Sequence, residues 1–169
     1  FPYTVRFLFG ANEESGMADV AYYHKHYDDP AFLFTPDAEF PVCYGEKGGY
    51  DGCITSAPIA DPVILDISGG VVTNAVPGIA EAVVKADAAD LPNTDRITVA
   101  ADGEGRVKIT AAGKGAHASM PEGGVNAIGL IVDYLLDNGL CTEEENAFLK
   151  VLQKLHHATD GSGVGIAAK

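Results

Sequence analysis

The feature that most constrains the fold is a predicted β-hairpin in the second half of the chain. Two runs rich in β-branched residues, 97–101 and 106–110, flank the turn sequence Asp-Gly-Glu-Gly at positions 102–105. Because glycine adopts the positive φ angles of tight turns, this pattern is typical of two antiparallel strands. Residues 63–67 are a further strand candidate, and residues 80–86 indicate either a strand or a short helix.

Two helices are predicted after the hairpin. The first carries apolar residues spaced along one helical face: Val125, Ile128, Val132, Leu135 and Leu136. The second begins with the capping-box pattern of Thr142 and Glu145. Its own apolar stripe consists of Phe148, Val151, Leu152 and Leu155. Both stripes are interpreted as core, so this region is α+β in class.

The first third of the chain predicts a different unit. Residues 4–9 and 31–34 are short apolar runs that indicate strands, with a helix between them that Ser15 caps. Acidic loops follow both runs, an order that suits an α/β unit with its ligands at the carboxyl ends of strands. Glycines then accumulate, and we place the domain boundary there, between residues 1–48 and residues 49–169.

Composition excludes several classes of function. The 169 residues carry a formal net charge of −13 without a basic stripe, which argues against nucleic acid and anionic membrane surfaces as partners. No apolar run reaches the roughly 18 residues of a membrane span. Three cysteines without a Cys-x-x-Cys pair favour buried, reduced thiols in a cytoplasmic protein. The chain begins at Phe1 rather than at a methionine and is expected to be a fragment.

The most unusual polar motif is the pair Glu13 and Glu14, which follows the first apolar run. Neighbouring side chains of an extended chain point in different directions. One carboxylate could therefore bind a metal ion while the other reaches a water molecule held by that ion; a solvated surface loop is the alternative. Asp37 follows the second run, where a buried or metal-bound carboxylate fits. With imidazole in the shell, such ligands suit zinc, manganese or cobalt.

Among the histidines, His117 is the candidate for chemistry. It lies in a loop of small residues between the hairpin and the next helix, where backbone or a ligand can approach the imidazole closely. The remaining histidines are interpreted as solvated or capping residues at helix ends: His24, His26, His156 and His157.

Five segments, in order along the chain, resemble the co-catalytic zinc peptidase family of carnosinases, aminoacylases, acetylornithine deacetylase and succinyl-diaminopimelate desuccinylase. Within this family the chain is most similar to PepV-like bacterial dipeptidases. The segments are Asn-Glu-Glu-Ser-Gly at 12–16, Thr-Pro-Asp-Ala-Glu-Phe-Pro at 35–41, Gly-Glu-Lys-Gly at 45–48, Thr-Asn-Ala-Val-Pro at 73–77 and Gly-Lys-Gly-Ala-His-Ala-Ser-Met-Pro at 113–121. The resemblance implies the end of an α/β catalytic domain, followed by part of a ferredoxin-like lid of β-sheet and helices.

The resemblance also implies a role for each candidate residue. Glu13 would be the general base that takes a proton from a metal-bound water, and Glu14 and Asp37 would each bind one of two zinc ions. Asn74 would help hold the substrate, and His117 would bind it and donate to the developing oxyanion. The implied substrate is a dipeptide or small peptide with a free amino terminus.

Parts of the family's site have no counterpart in this sequence. The upstream His-x-Asp ligand, the bridging Asp, the late His and the second half of the lid with its substrate-binding Arg are absent. Because a catalytic zinc ion normally takes three protein ligands, we expect an incomplete zinc site and an inactive chain. Two alternatives stay open: an N-acyl amino acid deacylase, and a non-catalytic lid module that forms homodimers through an exposed strand edge.

Overall fold

The computed structural model describes residues 2–37, 41–45 and 52–165. The chain divides into two units, Phe1–Glu46 and Lys47–Lys169. The described residues contain both helices and antiparallel sheets, which confirms the predicted α+β class. The assignment of the two units to a catalytic segment and a lid stays a prediction.

The described part of the first unit contains one α-helix, α1 (Ala18–His26). The helix predicted in this region is thus confirmed, but its predicted N-cap is wrong. Ser15 ends a short 3-10 turn, and α1 begins only after Met17, which adopts a left-handed conformation with a φ angle of 55°. The first helical N–H, that of Ala18, donates instead to the side-chain oxygen of Asn12 at 2.7 Å.

The two strands predicted in the first unit, at residues 4–9 and 31–34, are wrong. Neither segment lies in a strand, and Phe7 and Phe32 are 78% and 80% exposed. A strand needs a neighbour for its backbone hydrogen bonds and a surface that covers its apolar face. The described residues of this unit supply neither, and a local run of apolar residues contains no information about such partners.

The second unit is built on a four-stranded antiparallel sheet with the spatial order β1-β3-β5-β4. Its strands are β1 (Ile64–Gly69), β3 (Ile79–Lys85), β4 (Ile97–Ala101) and β5 (Arg106–Ala112). Strands β4 and β5 are the predicted hairpin, and β3 is the segment that the sequence left open between strand and helix. A smaller sheet pairs β2 (Ala75–Val76) with β6 (Ala116–His117).

Both helices predicted in the second unit are confirmed, as α2 (Ala127–Asp137) and α3 (Glu143–His157). Asn126 caps α2 through two backbone N–H groups, and the predicted capping box begins α3. Helix α2 packs against β1, β3 and β5, and α3 packs against α2. The two helices therefore form a second layer beside the sheet, in which α2 contacts the sheet and α3 contacts α2.

The core lies between the larger sheet and α2. Alternate residues of the two central strands are buried: Ala80, Ala82 and Val84 on β3, and Val107, Ile109 and Ala111 on β5. Helix α2 contributes the fully buried Ile131, Val132 and Leu135. Each large aliphatic side chain buried in this way contributes about 1.5–3 kcal/mol. The stripe predicted on α3 is partly wrong, because Val151 and Leu155 remain 39% and 37% exposed.

One buried carboxylate ties α3 to the sheet. Glu145 is only 4% exposed, and it accepts hydrogen bonds from the backbone N–H groups of Thr142 (2.7 Å), Ile64 (2.8 Å) and Val63 (3.2 Å). Burial raises the pKa of the Glu145 carboxyl, but the three backbone donors outweigh burial and hold the pKa below its ordinary value. The first residue of β1 is thereby fixed against the first turn of α3.

All three cysteines are free thiols. The prediction that they are buried is wrong for Cys43 and Cys53, which are exposed, while Cys141 is half-buried. Within the part of the chain that the structure describes, no helix has the length and apolar character needed to cross a membrane.

Candidate functional site

The Glu13–Glu14 pair lies at the surface of the first unit, in the 3-10 turn before α1. Asp19 braces this turn by accepting hydrogen bonds from the N–H groups of Ala11 at 2.7 Å and Asn12 at 3.2 Å. The donor at Ala11 is the main reason that the pKa of Asp19 lies below its ordinary value. Gly16, with a φ angle of 108°, then turns the chain towards the helix. Both glutamates are accessible to a ligand.

Asp37 is also exposed and lies in an irregular segment of the first unit. Glu39 and residues 46–48 of the Gly-Glu-Lys-Gly motif lie outside the described residues. Across the described ranges, no group of three potential metal ligands includes Glu14 or Asp37. Because a catalytic zinc ion takes three protein ligands, the two carboxylates alone do not make a zinc site.

The structure brings Asn74 and His117 together in the second unit. Strand β2 pairs with β6 so that Ala75 lies opposite His117. The Ala118 N–H donates to the carbonyl oxygen of Asn74 at 2.8 Å. Two residues singled out 43 positions apart in the sequence therefore lie close together, His117 on β6 and Asn74 in the turn directly before β2.

The segment formed by residues 113–125 is here called the His117 loop. Two glycines allow the backbone at its two ends, the base of the loop, to pack closely together. Lys114 and Val125 form an antiparallel bridge with two N–H···O distances of 2.9 and 2.8 Å. A Cβ at Gly113 would lie 2.2 Å from the Val125 carbonyl oxygen, and a Cβ at Gly124 would lie 2.9 Å from the Cβ of Ala116. Gly113 and Gly124, two of the small residues noted in the sequence, are therefore required by these close approaches.

Ser119 fixes which nitrogen of His117 carries a proton. Its hydroxyl oxygen lies 2.7 Å from Nδ1, and its backbone N–H donates to the same nitrogen at 3.2 Å. Since a backbone N–H can only donate, Nδ1 is an acceptor, and the neutral imidazole carries its proton on Nε2. His117 is exposed, so its ring can offer this N–H to a ligand.

A second cluster, which the sequence did not predict, joins α2 to the end of α3. The Oδ2 atom of Asp133 lies 3.0 Å from His157 Nε2 and 3.4 Å from His156 Nε2. Gln153 donates to the other oxygen, Oδ1, at 2.7 Å. In the portion of the chain that the structure describes, this cluster is the one group of three side chains placed to hold a metal ion.

His156 and His157 lie in the last turn of α3, as predicted, but both also contact Asp133 on α2, which the sequence did not predict. Gln153 and His157 lie 20 and 24 positions after Asp133, so no spacing rule within one helix relates them. Burial raises the pKa of the Asp133 carboxyl, but the hydrogen bonds from Gln153 and His157 and the nearby imidazoles bring it below its ordinary value. His24 and His26 are exposed at the end of α1, as predicted.

Comparison with known proteins shows similarity to dipeptidases. The chain is 31% identical to the protein named "Putative dipeptidase YtjP" of Bacillus subtilis (strain 168) over an alignment 176 residues long. This alignment covers 96% of this chain and 38% of that protein. It is 27% identical to the Beta-Ala-Xaa dipeptidase of Lactobacillus delbrueckii subsp. lactis over an alignment 170 residues long. This alignment covers 90% of this chain and 35% of that protein. The chain thus spans little more than a third of the length of these relatives. No protein-family model matches it.

Proposed function

We propose that the chain is a segment of a dipeptidase, which hydrolyses the peptide bond of dipeptides with a free amino terminus. The similarity to two proteins named as dipeptidases supports this class, because it extends over at least 90% of the chain. Residues 1–48 are assigned to the catalytic domain and residues 49–169 to its lid. The first unit exposes several aromatic residues, among them Phe9 at 94% exposure. This is the pattern expected of a segment whose apolar surface is covered by other parts of a longer protein.

The observation that carries the proposal is the pairing of Asn74 with the His117 loop. In the proposed site, Asn74 holds the substrate and the Nε2–H of His117 donates to the carbonyl oxygen of the scissile bond. Negative charge develops on that oxygen during attack, so a donor already in place stabilises the transition state more than the ground state. The hydrogen bonds from Ser119 to Nδ1 support this role, since they keep Nε2 as the donor.

The carboxylates of the first unit are assigned to the metal-dependent part of the reaction. Glu13 is the proposed general base, and Glu14 and Asp37 are each a proposed ligand of one zinc ion. Bound zinc would supply a Lewis acid and an activated water. Since the described residues place no set of three ligands around Glu14 or Asp37, the chain alone is proposed to hold no zinc at these residues and to be inactive.

Cellular location and self-association are part of the same proposal. Free thiols at all three cysteines suit the reducing cytoplasm. Strands β1 and β4 are the edges of the larger sheet, and an edge strand can pair with that of a second copy. A lid homodimer predicts a concentration-dependent mass in sedimentation equilibrium, and a constant monomer mass would remove its support.

The substrate class is tested with the longer protein that contains this chain, on a free dipeptide and on the N-acetyl analogue of that dipeptide. We expect release of both amino acids from the free dipeptide and no reaction of the analogue. Release of acetate from the analogue, without cleavage of the free dipeptide, would establish the deacylase alternative instead. Hydrolysis of neither compound would contradict the proposed function.

A further inference from the structure

We infer that Asp133, His156 and His157 form a zinc site that links α2 to α3. This site uses none of the residues assigned above to peptide hydrolysis. Two imidazole nitrogens and one carboxylate oxygen are typical zinc donors, whereas magnesium and calcium prefer shells of oxygen. Open zinc sites have three protein ligands and leave the fourth position to water, and this cluster supplies three.

Two of the three distances between the donor atoms already match those of a zinc shell, and all three donor atoms lie within 4.8 Å of one another. With bonds of about 2.0–2.1 Å, neighbouring ligand atoms of a tetrahedral zinc ion lie about 3.3 Å apart. Asp133 Oδ2 is 3.0 Å from His157 Nε2 and 3.4 Å from His156 Nε2. The two imidazole centroids are 5.1 Å apart and the ring planes are inclined by 56°, so both Nε2 atoms approach the same carboxylate oxygen without parallel stacking of the rings.

Gly129 provides the space that His156 occupies. A Cβ at Gly129 would lie 2.1 Å from His156 Nδ1, so any larger residue displaces the ring. Glycine is unfavourable in a helix interior, and its presence in α2 therefore has a packing reason. Gly129 lies one turn before Asp133 on the same helical face. The Nδ1 side of the ring rests on Gly129 and the Nε2 side faces Asp133.

The surroundings favour a bound cation. Gln153 donates to Asp133 Oδ1 at 2.7 Å, as outer-shell partners of metal-bound carboxylates do, and His157 Nε2 lies 3.1 Å from Oδ1 and 3.0 Å from Oδ2. The last carbonyl groups of α3 carry partial negative charge beside the histidines. The side chains of Asp133 and His156 are 29% and 19% exposed, whereas that of His157 is 56% exposed. The ligands are therefore partly withdrawn from water, and an ion can still reach them.

Zinc binding to the 169-residue chain tests the inference. The reference protein carries Glu14→Ala and Asp37→Ala, so that the carboxylates of the first unit cannot contribute. Isothermal titration with zinc chloride is expected to give one bound zinc per chain in this reference. Adding His156→Ala and His157→Ala is expected to abolish that binding. Adding His24→Ala and His26→Ala, the matched control, is expected to leave it unchanged.

Two further variants separate loss of ligands from loss of fold. Gln153→Ala keeps all three ligands and is expected to weaken zinc affinity about 10–100-fold, with an unchanged circular dichroism spectrum. Asp133→Asn is nearly isosteric and is expected to abolish binding in a folded protein. A folded reference protein that binds no zinc would overturn the inference and leave a metal-free hydrogen-bonded contact. Equal zinc binding with and without His156 and His157 would overturn it as well.

Discussion

At the scale of single residues, Glu145 determines how α3 meets the sheet. Its carboxylate is buried, belongs to the capping box of α3, and also accepts the N–H groups of Val63 and Ile64 at the start of β1. A buried carboxylate is costly unless its oxygens are hydrogen-bonded, and here three backbone donors meet that requirement. The sequence indicated the capping box from Thr142 and Glu145, but the second use of the same carboxylate depends on tertiary structure.

Replacing Glu145 with Gln is expected to lower the free energy of unfolding by about 2 kcal/mol, because hydrogen bonds to a charged acceptor are lost and an amide NH₂ faces backbone donors. Urea unfolding monitored by circular dichroism measures the change. Glu144→Gln is the matched control, since Glu144 is its exposed neighbour in the same helical turn. It is expected to change the free energy by less than about 0.5 kcal/mol. Equal effects of the two substitutions would contradict the role of Glu145.

The same carboxylate predicts an acid-dependent loss of stability. Its pKa in the folded protein lies below the ordinary value of 4.5, so the folded state favours the ionised form. The contribution of the ionised Glu145 to the free energy of unfolding is complete above pH 4.5. It is lost as the pH falls through the pKa that Glu145 has in the folded protein. The stability difference between the wild type and Glu145→Gln should therefore shrink below pH 4.5, in unfolding curves measured across that range. A difference that grows on acidification would contradict the account.

At the scale of elements, the His117 loop depends on close backbone contacts that only glycine allows. Gly113 passes the Val125 carbonyl oxygen, and β6 then pairs with β2 beside Asn74. The sequence predicted His117 from the small residues around it, and the structure gives a steric reason for two of them, Gly113 and Gly124. Ser119 also fixes the imidazole of His117, a contact that two positions so close in the sequence suggest but do not establish.

Gly113→Ala is expected to destabilise the protein by about 1–3 kcal/mol, the usual cost of inserting a methyl group where there is no space. Gly123→Ala is the matched control within the loop, because a Cβ at Gly123 would meet no atom within 4 Å. Thermal unfolding of the two variants measures the difference. A similar melting temperature for both would show that the base of the loop is not closed as described.

At the scale of the whole molecule, the two units differ in how far the sequence could predict them. The hairpin of β4 and β5, helix α2 and the start of α3 follow from local turn, spacing and capping patterns, and all were confirmed. The strands predicted at 4–9 and 31–34 failed, because a strand is defined by a partner that the local sequence does not identify. The Asp133 cluster was missed for the same reason, since its members are related only by packing of α2 on α3.

We expect the local free energy of unfolding to be higher in the second unit, which contains the hydrophobic core, than in the first. Among the residues that the structure describes, the buried hydrophobic ones all belong to the second unit, and none in the first unit is fully buried. In native-state hydrogen exchange we therefore expect the slowest amides in β3, β5 and α2, and fast exchange at residues 4–9 and 31–34. Strong protection of residues 4–9 would show that they pair as the strand that the sequence predicted.

The central claim, that His117 stabilises the transition state of dipeptide hydrolysis, is tested most directly by the kcat of His117→Ala in the longer protein. Removal of one preformed oxyanion donor lowers kcat roughly 10²–10³-fold, and we expect a loss of this size with a much smaller change in KM. His26→Ala, at the exposed end of α1, is expected to keep the wild-type kcat. A kcat for His117→Ala equal to that of the wild type would contradict the claim.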